Sequence, residues 1–336
     1  MDCYTRLPLD SIRMKRLIFF FVTSFLLFCT NVLGWGFYAH TKINYYAVFL
    51  LPPEMMVLYK PYIQFIQDHA TDPDKRRYIM AAEAPRHYID LDYYGTYPFH
   101  SLPHSWSQAT ERYCEDTIIS NGMVPWHVLN MQQRLTNAFI KKDLLAILKT
   151  SAELGHYIAD AHVPLHTSSN HNGQLTNQTG IHGFWESRVP ELLAENEFEF
   201  MLGTASYISN PSDYIWNVVL ESAKAVDSVL SMEALLTKKM GKGNKYSFEN
   251  RNGIIVKQYA SSFTKLYHQQ LNNMVERRMQ QSIFTVSSFW YTAWVNAGQP
   301  NLRELSSQII SSKDMEVLEN LNKEWRLATQ IIGREE

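Results

Sequence analysis

Cysteine is scarce in this chain: three occur in 336 residues, and two of them, Cys3 and Cys29, lie near the N-terminus. Beyond residue 34 only Cys114 remains, which excludes an internal disulfide framework and leaves stability to the core and to any bound metal. Net charge is small as well, at -2, and offers no general basic footprint for duplex nucleic acid. No Gly-rich phosphate loop, internal repeat or strand-like alternation stands out. What is present is 46% hydrophobic and 19% charged, the balance of a globular protein able to bury a sizeable core.

Residues 1–34 read as a targeting segment. Met14-Lys15-Arg16 supplies a basic start, Leu17 to Phe28 an apolar run, and Val32-Leu33-Gly34 a small-residue cleavage site. The apolar run is shorter than the roughly 20 residues a membrane span requires, so export with cleavage before Trp35 is the expectation. Its removal takes away four basic and two acidic residues, leaving 27 against 31 and a net charge of -4. The domain organisation expected is therefore a signal peptide over 1–34 and one domain over 35–336, since no break in composition divides the remainder.

That remainder is read as all-α. Residues 41 to about 69 are periodic with a break at Pro52-Pro53, and Asp72 with Pro73 has the composition of a helix start. Helices are expected over Val128 to Phe139, Leu144 to Ala161, His182 to Leu193, Ser212 to Ala234 and Asn250 to Asn296. Tyr93 to Trp106 reads as an irregular lip, and Asn170 to Gly180 as a polar loop. Phe289, Trp290, Tyr291 and Trp294 read as core-packing aromatics.

The stretch from Gly155 to His166 carries the strongest chemical signal. His156 and Asp160 are four residues apart and share a helical face, while Pro164 ends the helix and places His166 in the following turn. His162, six residues beyond His156, points elsewhere and is not expected to act as a ligand. His182 and Glu186 repeat the four-residue spacing, an arrangement by which helices present ligands to zinc. Earlier in the chain, Trp35 and His40 stand five apart, and His87 lies in a His-Tyr-Ile-Asp run among carboxylates and Arg86. A freed amine at Trp35 together with its carbonyl can chelate a metal. Taken alone, that stretch reads as a buried aromatic beside an incidental histidine.

In their order and spacing these motifs resemble the zinc-dependent phospholipase C and single-strand-specific nuclease superfamily. The resemblance rests on Trp35 with His40, His87 in His-aromatic-x-Asp, His156, Asp160 and His166 in HxxxDxxxPLH, and His182 with Glu186 in HxxxE. It implies an all-helical exported domain with a cleft holding three zinc ions. One ion would be held by an early aspartate with His87, His156 and Asp160; a second by His166, His182 and Glu186; a third by Trp35, His40 and Asp160. Asp72 is chosen as the early aspartate over Asp74, with the further role of orienting or deprotonating the nucleophile. The transition-state cation stays open among Lys75, Arg76 and Arg77.

The activity implied is phosphodiester hydrolysis by zinc-bound hydroxide, since bound zinc lowers the pKa of water to about 7. Glu186 in place of aspartate, and the missing disulfide, favour a phospholipase C-like enzyme acting on phospholipid. Tyr88 and Asp90, as substrate-binding residues, would also suit a nucleobase, so a single-strand-specific nuclease is the alternative. A noncatalytic zinc-stabilised binding protein is a third reading. No feature calls for an obligate protein partner.

Overall fold

The helix that carries His156 and Asp160 is buried along most of its length, and the other long helices are arranged around it. The computed structural model describes residues 36–328 other than 252, together with 330–332 and 334. The targeting segment and Trp35 lie outside the described residues. The major helices are α1 (Phe37–Val48), α2 (Val124–Lys141), α3 (Leu144–Ala161), α4 (Pro211–Met240), α5 (Met274–Asn296) and α6 (Ser312–Leu327). The chain is 66% helical with 4% strand, which makes it a single all-α domain. Among the described residues, no helix is long and apolar enough to cross a membrane.

Helices α2 and α3 form a tight antiparallel pair. Lys142 takes a left-handed conformation with φ 54° and stops α2, and the Asp143 side chain accepts from Ala146 N at 3.0 Å to start α3. Every residue of α3 from Ser151 to Ala161 is buried, because α1, α2 and α5 all pack on it. Polar groups inside that packing are paired: the indole of Trp290 on α5 donates to Ser151 O at 3.0 Å, and Tyr59 Oη shares a hydrogen bond with Ser151 Oγ at 2.7 Å. Phe289, Trp290 and Trp294 are buried in the core, while Tyr291 is half-buried.

The helix expected over Asn250 to Asn296 begins differently. Strands β1 (Tyr246–Arg251) and β2 (Ile254–Tyr259) form an antiparallel hairpin, and helices resume at Ser261–Gln270 and α5. Two local preferences outweigh helical periodicity there. Gly253 sits at φ +87° with its N–H donating to Asn250 Oδ1 at 2.8 Å, and the β-branched run Ile254-Ile255-Val256 favours an extended chain. Two smaller shifts accompany it. The short helix starts at Asp72 itself with Thr71 as its cap, and a single π-helical turn, Phe184–Arg188, interrupts the helical run that carries His182 and Glu186.

Candidate metal centre

Eight buried side chains converge near one end of α3. His156 and Asp160 come from α3, His40 from α1, Asp74 from the short helix Asp72–Arg76, and His87 from the end of the turn Ala84–Arg86. His166 lies in the turn Pro164–Thr167, where Val163 is extended as a residue before proline must be, and His182 and Glu186 lie across the π-helical junction. The ligand atoms fall into groups that can hold metal ions: His87, His156 and Asp160; His40, Asp74 and His156; His166, His182 and Glu186.

Backbone carbonyls decide what these imidazoles present. His166 Nδ1 lies 2.6 Å from His87 O, and His182 Nδ1 lies 3.0 Å from His171 O. A carbonyl oxygen only accepts, so each Nδ1 carries the hydrogen and each neutral ring turns a lone pair inward at Nε2. Those two Nε2 atoms are 3.1 Å apart, with Glu186 Oε2 at 3.0 Å from one and 3.5 Å from the other. Three acceptors packed this closely repel one another, and a cation between them turns that repulsion into coordination. Zinc ligands at about 2.0–2.1 Å in a tetrahedron stand roughly 3.4 Å apart, close to the 3.0 to 3.5 Å between these atoms.

The second group is built the same way. His156 Nδ1 lies 2.9 Å from Ala70 O, so its Nε2 points inward, 3.1 Å from His87 Nδ1, 3.2 Å from Asp160 Oδ2 and 3.5 Å from Asp74 Oδ1. The other oxygen of Asp160, Oδ1, lies 3.4 Å from His40 Nε2. One carboxylate thus faces histidines on two sides, as a bridge between two ions requires. The His40 ring stacks on His156 with centroids 3.8 Å apart. Asp74 Oδ2 is buried without a hydrogen-bond partner among the described residues, an expense that metal ligation by this carboxylate would offset.

Electrostatics agree with a cation centre. Burial works against a charged His87, yet the carboxylates of Asp160 and Glu83 hold its pKa up at about 9. Burial likewise opposes an ionised Asp160, but His156 and His166 keep its carboxyl well below the usual range. Without a metal these carboxylates pull in protons, and a metal ion displaces them.

The expected early ligand is corrected. Asp72 is buried but directed away from the clustered residues: His69 Nδ1, outside the cluster, lies 2.6 Å from its Oδ2, and Lys75 Nζ donates to its Oδ1 at 2.7 Å. Residues two apart on a helix point about 200° apart, so Asp72 and Asp74 cannot both face the cluster, and Asp74 is the one that does. The three basic candidates separate with it. Lys75 is held by Asp72, Arg76 bonds Glu83, Glu153 and Tyr157, and Arg77 lies beside Asp74 with Nη1 3.8 Å from Oδ1.

Glu83 was given no role by its sequence context, although it stands four residues before His87 on the same side. It is fully buried, accepts from Arg76, Arg86 and Tyr157, and lies 3.7 Å from His87 Nε2. It backs the ring that faces Asp160. His162 stays outside the cluster, with Nδ1 2.8 Å from Ile158 O and Nε2 3.4 Å from Thr285 Oγ1. It lines a cavity of about 500 Å³ that includes none of the eight clustered residues.

Tyr88 and Asp90 lie on the short segment that follows His87. Ile89 N donates to His166 O at 2.8 Å, which lays this short segment against the turn that holds His166. Compared with known proteins, the chain matches no protein-family model and no curated protein sequence, so its own side chains carry the functional reading.

Proposed function

We propose that this chain is an exported metal-dependent phosphodiester hydrolase, phospholipase C-like in its substrate, that works with three zinc ions. The observation that carries the reading is the triad His166, His182 and Glu186, whose inward acceptor atoms stand 3.0 to 3.5 Å apart. Histidine and carboxylate donors at this spacing suit zinc, and a second group of the same kind lies alongside. When bound, such ions supply a nucleophile at neutral pH and offset charge on the phosphoryl oxygens.

The chain's own residues do the rest. Asp160 serves His40 on one oxygen and His87 with His156 on the other. Asp74 takes the role assigned by resemblance to the early aspartate, and Arg77, next to it, is the basic residue assigned to meet a phosphoryl oxygen. Trp35 is assigned to the third ion by resemblance. Glu186, where the nuclease branch carries aspartate, supports the phospholipase reading.

A nuclease is the second reading, favoured by Tyr88 standing next to the ligand His87 with a carboxylate two residues on. One preparation tests both. The chain beginning at Trp35 is analysed for metal by mass spectrometry, then assayed in parallel on dispersed phosphatidylcholine and on single-stranded RNA and DNA. Close to three zinc ions with release of phosphocholine supports the proposal. Cleavage of polynucleotide alone replaces it with the nuclease, and a fully loaded protein inert to both is a noncatalytic zinc protein.

A further inference from the structure

The face of Tyr88 is covered from within the chain. The Arg334 guanidinium lies 3.9 Å over the Tyr88 ring, its Nη1 pairs with Asp90 Oδ1 at 2.6 Å, and its Nη2 donates to Ser168 O at 3.1 Å. An aromatic face, a carboxylate and a carbonyl oxygen together make a cation site, because every group presented is electron-rich. The backbone of the same segment meets a different partner: Arg77 Nη2 donates to Arg334 O at 2.7 Å, and Ile332 N donates to Arg77 O at 2.9 Å. The segment therefore sets an oxygen on Arg77, beside the metal ligand Asp74, and a cation on Tyr88 and Asp90, beside the metal ligand His87.

We propose that Arg334 is a built-in pseudosubstrate: its guanidinium fills the face made by Tyr88, Asp90 and the Ser168 carbonyl while its own carbonyl engages Arg77, so that a phosphodiester headgroup with a cationic end must displace it to bind. The proposal rests on the phosphodiesterase reading for the polarity of the ligand: phosphoryl oxygen towards Arg77, ammonium towards Tyr88. A neutral nucleobase can stack on Tyr88, but it supplies no charge to Asp90, whose carboxyl burial pushes up and the Arg334 charge draws back down. Helix α6, which leads into the segment, buries only Leu318, and Trp325 reaches Phe37 and Tyr78 at centroid distances of 5.4 and 6.5 Å. A ligand able to make the same two contacts can displace it.

The test uses the metal-loaded chain and two probes, phosphocholine and N-acetyl-arginine amide, with affinities measured by calorimetry on the native protein, Arg334→Ala and Arg334→Ala with Asp90→Asn. Vacating the subsite is expected to strengthen both probes about tenfold, since an occupied site lowers apparent affinity by the fraction left open. Adding Asp90→Asn is expected to cancel that gain, with melting curves confirming that each variant is folded; Tyr88→Leu in place of Asp90→Asn provides a second route to the same loss. Equal affinities in the native protein and Arg334→Ala overturn the occlusion. Binding of guanosine monophosphate with neither cationic probe overturns the cation class in favour of a nucleobase. Because probe binding needs no turnover, a protein that binds both probes but hydrolyses neither lipid nor polynucleotide keeps the subsite and loses the hydrolase reading alone.

Discussion

His166 donates from Nδ1 to the backbone carbonyl of His87 at 2.6 Å, so a member of one candidate metal group is oriented by the main chain of a member of the other. The two groups are consequently coupled. His166→Ala should weaken metal binding most at its own group and, because the His87 main chain loses the donor that fixes it, to a smaller extent at the group containing His87. His182→Ala, which leaves that bond in place, should weaken only its own group. Metal titrations of the two variants, followed by competition with a chromophoric chelator, separate the cases; identical profiles would refute the coupling.

Asp74 and Asp72 offer a sharper contrast. Asp74→Asn should strip metal while leaving the fold intact, because Asp74 Oδ1 faces His156 Nε2 at 3.5 Å. Asp72→Asn should keep the metal and lose stability by about 3 kcal/mol, since it leaves the buried Lys75 ammonium without its carboxylate. Metal content and denaturant midpoints, measured together, decide which aspartate is the ligand.

Gly155 precedes His156 of the candidate metal centre and leaves no room for a methyl group. A Cβ there would lie 2.0 Å from Asn44 Oδ1 on α1, and Asn44 cannot swing aside cheaply because its Nδ2 donates to Ala152 O at 2.9 Å and Ile66 O at 3.3 Å. Gly155→Ala should therefore destabilise the protein by about 1 to 3 kcal/mol, the usual range for overpacking. A thermal midpoint equal to the native value would show that α1 and α3 can separate without cost.

Acid stability has an identifiable contributor. Burial, followed by the nearby Arg86 charge, holds His127 down at about 3, against about 6.5 in an unfolded chain. Its folded-state pKa is depressed, so its contribution is present above pH 6.5 and is lost as pH falls towards 3, when the unfolded chain takes up a proton that the folded one refuses. The slope is about 1.4 kcal/mol per pH unit. His127→Phe keeps the edge-on packing against Tyr157, whose ring centroid is 4.4 Å away, and removes the titration. Denaturation of metal-free protein between pH 6.5 and 5 should show the variant losing less stability than the native chain by that slope.

What the sequence determined by itself was local. Four-residue spacing places His156 with Asp160, and His182 with Glu186, on single helical faces whatever the rest of the chain does, and Pro164 ends α3 because it cannot continue it. The all-α class and the exact span of α3 follow from periodicity of the same kind. The hairpin Tyr246–Tyr259 escaped that reading because a short β-branched run gives the same apolar signal in a helix or a strand. Tertiary structure decided everything that depends on what lies across from a side chain. Only packing shows that Asp72 is claimed by His69 and Lys75 while Asp74 turns to the histidines, and only packing brings Glu83 up against His87 Nε2. Arg334 is 244 residues from Asp90, and no local periodicity or spacing rule operates over that distance; their meeting is a property of the folded chain alone.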